Sequence, residues 1–519
     1  MGVKYFANHN EKWSYCLFLL LVLKDILSGP QISGLLGFSW CSDQLITLML
    51  ASCLLMSKVF RLGVAIRFNF VLFYLLCGII MGLAPLLTVN ESTGRLVMKL
   101  VGLFLMIVLP FTAKFFTAEA PGPYCVGVKD LIIKGKTTPS VMIFYPMDKK
   151  EYDQKITSDS NKYPVIIDGD ESNPSRVAGL RLTHDISTTS KFALSFVPSN
   201  FWVAERLMDD DQVFNIEAVV GGNLHKDFAS RLKKLTPVIY CGGLAGIRIQ
   251  SSFLFRYLAS YGCIVYTISH TDGSSCCYKD LHKDPNKFVQ YNHFSMQTHT
   301  DSFGKKYTHE EFRRISVANR VKDIETVIEY IKTESMQEFQ SIDMSKLTVI
   351  GHSLGGMTMI DSSHKLPDTI KACVAFDPHL LARRQEILEE SQFYLKQPTL
   401  VINSELFKDS PFLADFDSKA CMDKFKRLCD SSKDTDSNNK KQNFWVNLED
   451  SGHLSFLDVS QFSPGPLAMT KTIGSPDNAS YVMNKNHSIV LDFMSRNNLL
   501  PVEFDNPFKI ELPTSSSQE

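Results

Sequence analysis

No charge of one sign dominates this chain: 54 Lys and Arg stand against 55 Asp and Glu, a formal net charge of −1. Proteins that neutralise a phosphate backbone carry a basic excess, so the composition gives no ground for a nucleic-acid partner. The 12 cysteines, scattered from Cys16 to Cys429, include no C-x-x-C pair. That spacing offers neither a zinc ribbon nor a disulfide framework, and reduced, buried thiols are expected. His270 with Cys276 and Cys277 comes nearest to a metal-ligand set, but adjacent cysteines bind one ion poorly. No metal and no cofactor is expected. The amino terminus also lacks a convincing processing or lipidation signal. The apolar run from Trp13 has no small-residue cleavage site and leads into further apolar segments, and MGVKYF has Phe6 where myristoylation wants Ser or Thr. Sequons at Asn90, Asn478 and Asn486 are no more than chance supplies and decide nothing about topology.

What the chain does have is a crowd of long apolar runs, and they fall in residues 1–120. Residues 68–90, FNFVLFYLLCGIIMGLAPLLTVN, hold no charge in 23 positions. At about 1.5 Å of rise per residue, such a helix crosses a hydrocarbon core of about 30 Å. Shorter runs start at Trp13, cover 44–57, and cover 100–113 between Lys99 and Lys114. Four such runs in succession, with few polar residues between them, predict an all-α transmembrane module of three or four spans. With four spans, Lys4, Lys12, Lys58, Arg61, Arg67 and Lys114 lie on one side and Lys24, Arg95 and Lys99 on the other. The basic side is expected to face the cytosol, and the C-terminal domain with it.

From Pro121 the texture changes. PGPY breaks the chain, and strand-like and helix-like segments then alternate through residues 121–508. VMIFYP (141–146), TPVIYC (236–241), CIVYTISH (263–270), LTVIG (347–351), KACVAFD and PTLVINS read as buried strands. RISVANRVKDIETVIEYIKT (314–333) has the apolar period of a helix. Continuous apolar strands alternating with helices predict a mainly parallel sheet covered on both faces. The polar stretch 430–441 reads as a solvated loop, and 509–519 as a disordered tail.

Within that frame, LTVIGHSLGGMTMI places Ser353 in a G-x-S-x-G turn between a buried strand and a helix. This is the setting of a nucleophile elbow, with the Leu354 N–H at the helix start aimed at a developing oxyanion. A serine nucleophile needs a base and an acid, which follow it in the order acid, then histidine, in this kind of fold. Asp377 ends KACVAFD, 24 residues after Ser353, and His453 lies in LEDSGHLSF, 100 residues after it. A helix N-cap before Pro378 is the plainer role for Asp377, and Asp409 is the alternative acid. His364 and His379 sit too close to their own elements to serve as the base.

Seven segments in order carry a resemblance. GPYCVGVKDL (122–131), CGGLAGIR (241–248), LASYGCIVYTISHTDGSS, GHSLGG, VAFDP, VINSE and GHLSFLD are similar to motifs of the platelet-activating factor acetylhydrolase family of the plasma and intracellular type II kind. The resemblance implies an α/β-hydrolase fold. It also implies a calcium-independent esterase of the phospholipase A2 type, acting on glycerophospholipids with short or oxidised sn-2 acyl chains. On that pattern Ser353, Asp377 and His453 form the triad, and the backbone amides of Leu244 and Leu354 the oxyanion hole. Three departures stand out: Gly242 replaces the family's histidine, the loop at 430–441 lengthens the approach to His453, and residues 165–235 match poorly. Gly242 leaves the Leu244 amide in place but is expected to loosen the loop presenting it. The membrane module lies outside what the family's enzymatic unit explains, and would hold the pocket near a lipid bilayer. Two alternatives stay open: another lipase, esterase or acyltransferase on the same scaffold, and a weakly active membrane interaction protein. Oligomeric state is not legible.

Overall fold

The computed structural model describes residues 120–155, 162–164, 215–275, 277–279, 288–290, 298–389, 397–407, 418–431, 443–462, 468 and 471–504, less positions 245, 247 and 302. The expected membrane module, the core of the poorly matched insertion, most of the polar loop and the expected disordered tail lie outside them. Among the described residues no helix is long and apolar enough to cross a membrane. Nearly all of them belong to one compact unit, Ala118–Phe196, Ile216–Ser460 and Pro466–Glu519.

That unit is built on one ten-stranded sheet. In chain order its strands are β1 (Cys125–Ile132), β2 (Ser140–Met147), β3 (Lys162–Pro164), β4 (Asn215–Val220), β5 (Thr236–Cys241) and β6 (Cys263–Ser269). After a small hairpin of β7 (Cys277–Lys279) and β8 (Phe288–Gln290) come β9 (Thr348–His352), β10 (Ala372–Phe376), β11 (Thr399–Ser404) and β12 (Phe444–Leu448). Across the sheet the order is β12-β11-β10-β9-β5-β6-β2-β1-β4-β3. From β6 to β12 every neighbouring pair is parallel, while β2 runs antiparallel to both β6 and β1. The strands expected from apolar runs are these strands, with ends within a residue or two of the expected ones. β5, β6, β9, β10 and β11 are buried at every position, as a sheet covered on both faces requires.

The covering helices divide by the two-residue alternation of the strands. Helices α1 (Ser252–Ser260), α2 (His309–Tyr330) and α3 (Leu354–Lys365) carry most of this packing. Ile143, Tyr145, Ile239 and Cys241 join Val317, Ile324, Leu354 and Met357 of α2 and α3 in one apolar cluster. The intervening Phe144 and Tyr240 turn the other way and pack on Phe255 of α1, with ring centroids 5.4 and 4.6 Å apart.

Helix α2 starts five residues earlier than its apolar period indicates. Thr308 Oγ1 accepts from the Glu311 N–H at 3.2 Å, and the Glu311 carboxylate accepts from the Thr308 N–H at 3.0 Å. This capping box satisfies N–H groups of a polar first turn that no hydrophobic pattern reveals.

Candidate active site

Parallel strands end on one edge of the sheet, and there the chain gathers its reactive groups. Ser353 follows β9, Asp377 follows β10, Ser404 ends β11, His453 lies in the turn after β12, and Leu244 lies in the loop after β5.

Ser353 has φ 57° and ψ −122°, a left-handed conformation that a non-glycine residue adopts at a cost of about 1–3 kcal/mol. Its neighbours hold it there. The Ser353 N–H donates to Phe376 O at 2.9 Å, and Ser353 O accepts from the N–H groups of His379 and Met357 at 3.0 and 3.2 Å. Gly355 is obligatory for the turn, because a Cβ there would lie 2.1 Å from Cys241 O. The result is a half-buried serine at the tip of a tight strand-to-helix turn.

Asp377 also has positive φ, 40°, and is fully buried. Its carboxylate accepts from the Ser404 N–H and Ser404 Oγ, both at 2.6 Å, and from His453 Nδ1 at 3.0 Å. These partners belong to the ends of β11 and β12, so the carboxylate is committed across the sheet edge rather than to a local helix cap. An ionised carboxylate only accepts, so His453 Nδ1 is the donor of this bond. The His453 ring stacks on Phe407, centroids 4.9 Å apart and planes 9° apart, and lies 4.5 Å from the His352 ring.

His352, the residue before Ser353, is not singled out by the sequence. Its Nε2 donates to His453 O at 2.8 Å. Burial, then the nearby His453, hold its pKa well below the usual histidine value, so it works as a neutral donor. Asp458 escapes sequence reasoning as well. It accepts from the Ser252 N–H and Oγ at 2.7 and 2.5 Å and from the Phe253 N–H at 3.3 Å, pinning the loop that carries His453 to the start of α1. The signals are present in G-H-S and H-x-x-F-x-D, but no spacing rule says what such side chains hold.

Of the two amides expected at the oxyanion site, one directly follows Ser353 and the other lies in the loop after β5. Leu354 opens α3, so its N–H is among those without an intrahelical acceptor. Gly243 runs against Ser353: a Cβ on it would lie 3.1 Å from Ser353 Cβ. Leu244 is next along. The space beside Gly242, where the family carries histidine, is taken by the Gln250 amide at 3.1–3.4 Å from a would-be Cβ.

The remaining candidates fall elsewhere. His364 rides near the end of α3. His379 is closer to Ser353 than its sequence position indicates, through its main-chain bond to that residue; burial first, then Arg313 and His309, keep its imidazole pKa well below the usual value. Asp409 and Cys276 lie outside the described residues. His270 meets Cys241 Sγ at 2.8 Å and Asp323 Oδ2 at 3.1 Å, so both ring nitrogens are engaged. A cavity of about 740 Å³, lined by Lys129, Tyr330 and Glu334 among others, contains none of the residues at these strand ends.

A parallel sheet with an antiparallel second strand, a left-handed serine turn after β9 and an Asp–His pair across the following strand ends define an α/β-hydrolase fold. The chain belongs to the family described as platelet-activating factor acetylhydrolase, isoform II, whose model matches residues 212–509. Platelet-activating factor acetylhydrolase of Gallus gallus is 24% identical over 247 residues, 44% of this chain and 54% of that protein. The Cavia porcellus protein of the same name is 23% identical over 188 residues, 34% of this chain and 42% of that protein. The chain thus spans about half the length of the curated relatives it matches. Among solved structures, a ferulic acid esterase from Streptomyces cinnamoneus superposes with TM-score 0.48 at 17% identity, covering 77% of this chain and 96% of that one. A Pyrococcus horikoshii acylaminoacyl peptidase gives TM-score 0.31 at 14% identity, covering 53% and 39%.

Proposed function

We propose that this chain is a serine esterase that hydrolyses the sn-2 acyl ester of glycerophospholipids bearing short or oxidised acyl chains, as a 1-alkyl-2-acetylglycerophosphocholine esterase does. The observation that carries the reading is the buried Asp377–His453 pair, 3.0 Å apart, on the same sheet edge as the left-handed Ser353. Family membership supports the lipid ester as substrate class.

In this mechanism His453 Nε2 takes the Ser353 proton as Oγ attacks the ester carbonyl. Asp377 keeps the imidazole in that tautomer and stabilises the imidazolium, while Ser404 holds the carboxylate in place. The Leu354 and Leu244 amides take the charge of the tetrahedral oxyanion. The imidazolium then protonates the departing lysophospholipid oxygen. Water, deprotonated by His453, releases the acyl group from Ser353. Every proton in the cycle is carried by the histidine, so no metal enters. Residues 1–120 act as a multi-span anchor that keeps the pocket at a bilayer surface, with the catalytic domain on the cytosolic side.

The test is labelling with an alkyl fluorophosphonate followed by a lipid panel. The full chain should label and Ser353→Ala should not. Release of acetate from 1-alkyl-2-acetylglycerophosphocholine should exceed release of long acyl chains. Equal labelling of the two proteins sinks the serine assignment, and preference for a long-chain or neutral-lipid ester sinks the substrate.

A further inference from the structure

We infer that Arg320 is a positioning residue for the oxyanion hole, holding the peptide that presents the Leu244 N–H; this rests on the proposed serine-esterase reading of the site. Arg320 lies on α2 with none of its surface exposed. A guanidinium has five N–H donors, and a buried one is costly unless they are used. All five are used. Nη1 donates to Gly242 O at 2.7 Å and points at Cys241 Sγ at 3.7 Å; Nη2 donates to Gly243 O at 3.1 Å and to Ser274 O at 3.4 Å; Nε donates to Ser274 Oγ at 2.8 Å. A full positive charge is thus placed in the core and aimed at two successive carbonyls of one loop.

The direction of one of these bonds matters. Gly243 O and the Leu244 N–H are opposite ends of a single planar trans peptide. Fixing the carbonyl toward Arg320 therefore fixes the N–H away from it. The other side of this loop is the nucleophile, since a Cβ on Gly243 would meet Ser353 Cβ at 3.1 Å. A charged donor on the carbonyl also polarises the peptide and strengthens its N–H as a donor. Within the loop the Gly246 N–H also donates to Gly243 O, at 3.1 Å, but Gly242, Gly243 and Gly246 bring no side chains, so Arg320 is what ties these carbonyls to the helix beneath. Arg320 does what a side chain at 242 would otherwise do for the loop, from the helix beneath.

The surroundings keep the guanidinium in register. Ser274 donates to Asp272 Oδ1 through both its N–H, at 3.0 Å, and its Oγ, which leaves the Oγ lone pairs facing Arg320 Nε. Asp323, one turn along α2 and fully buried, supplies a carboxylate that binds His270 Nδ1 at 3.1 Å and the Thr271 N–H and Oγ1 at 2.9 and 2.8 Å. His270 in turn reaches Cys241 at the root of the loop. This network accounts for residues of the H-T-D-G-S segment that the proposed triad does not use.

Arg320→Lys keeps the charge but not the fork, and one ammonium cannot hold two carbonyls and Ser274 in the same plane. With p-nitrophenyl acetate, full-length Arg320→Lys should show kcat lowered about 10- to 100-fold, below the 10²–10³ typical of losing a donor outright. KM should stay within about twofold, because the oxyanion exists only in the transition state. A trifluoromethyl ketone, which forms a tetrahedral adduct on the serine, should lose affinity by the same factor as kcat/KM. Ser274→Ala, which removes one anchor only, should move the same two quantities together and less far, and it decides the question if Arg320→Lys does not fold. Unchanged kcat in the folded variant, or lowered kcat with unchanged ketone affinity, overturns the inference. Ser353→Ala separates the two claims: if it still labels with fluorophosphonate the site reading fails, whereas loss of its labelling beside a wild-type-like Arg320→Lys removes Arg320 alone.

Discussion

His352 Nε2 donates to the main-chain oxygen of His453 at 2.8 Å, so the residue preceding the candidate nucleophile fixes the backbone of the candidate base. Ser353 and His453 are 100 residues apart in the chain, and this bond ties their two turns directly together. A donor at 352 is therefore a requirement of geometry. His352→Gln retains a donor and should keep more activity than His352→Leu, which leaves His453 O buried without that partner. We expect the Leu variant to lose about tenfold more kcat/KM than the Gln variant, about 1.4 kcal/mol of transition-state stabilisation. Equal kcat/KM for the two variants counts against the role.

The proposed acid gives a second test. Asp377→Asn leaves the site's shape but removes the acceptor that sets the His453 tautomer, a change that lowers kcat by about 10⁴ in a serine triad. Asp409→Asn should leave kcat unchanged. Reversal of these two outcomes moves the acid to Asp409. Ser404→Ala should fall between them, because Asp377 keeps the Ser404 N–H after the hydroxyl is gone.

Much of the fold was legible because buried parallel strands write their burial as unbroken apolar runs, as VIY in β5 and IVYTI in β6 do. The triad candidates were legible because their positions at strand ends follow from chain order. Arg320 was not, since in sequence it is one cation on a helix with an ordinary apolar period, and the carbonyls it holds lie 77 and 78 residues away. Ser404 and His352 were hidden for the same reason. Their partners are set by sheet order, and a single sequence does not state sheet order. The antiparallel β2 depends likewise on pairings across the fold, whereas the start of α2 is written locally in T-H-E-E, a capping signature that apolar periodicity passes over.

Asp458 predicts a pH dependence of stability. Burial, opposed by the Ser252 and Phe253 hydrogen bonds, pushes its pKa up to about 7. An unfolded aspartate titrates near about 4. Between those values the folded state holds a proton that the unfolded chain releases, so stability falls as pH rises from about 4 to 7 and is level above. Asp458→Asn should abolish that part of the slope in thermal melts taken at pH 5 and pH 8. A slope equal to that of the wild type would show that another group is responsible.

Gly355 tests the elbow itself. A methyl group there would sit 2.1 Å from Cys241 O and 2.5 Å from Gly242 O, against backbone that cannot swing aside. Gly355→Ala must push α3 off β5 and disturb the loop held by Arg320. We expect a stability loss of about 1–3 kcal/mol by denaturant titration, together with a fall in kcat larger than that of Gly304→Ala. Gly304, where nothing lies within 4 Å of a built Cβ, costs only its positive φ of 83°. Equal effects at the two positions would mean the close approach at Gly355 is not what the turn requires.

The proposed cytosolic orientation of the C-terminal domain rests on charge placed around the apolar runs. If four runs span, Lys4, Lys12, Lys58, Arg61, Arg67 and Lys114 share one face, against Lys24, Arg95 and Lys99 on the other. Lys58, Arg61 and Arg67 fall in a short connection, where the charge rule acts most strongly, and basic connections of that length stay inside. If the Trp13 run does not span, the amino terminus changes sides, but that connection and the catalytic domain remain together. The buried thiols of Cys241, Cys263 and Cys373, none of them in a disulfide, suit a reducing compartment. Protease added to sealed microsomes should digest the C-terminal domain without detergent. Full protection until detergent is added would place the proposed esterase on the opposite side of the membrane, facing the lipids of the other leaflet.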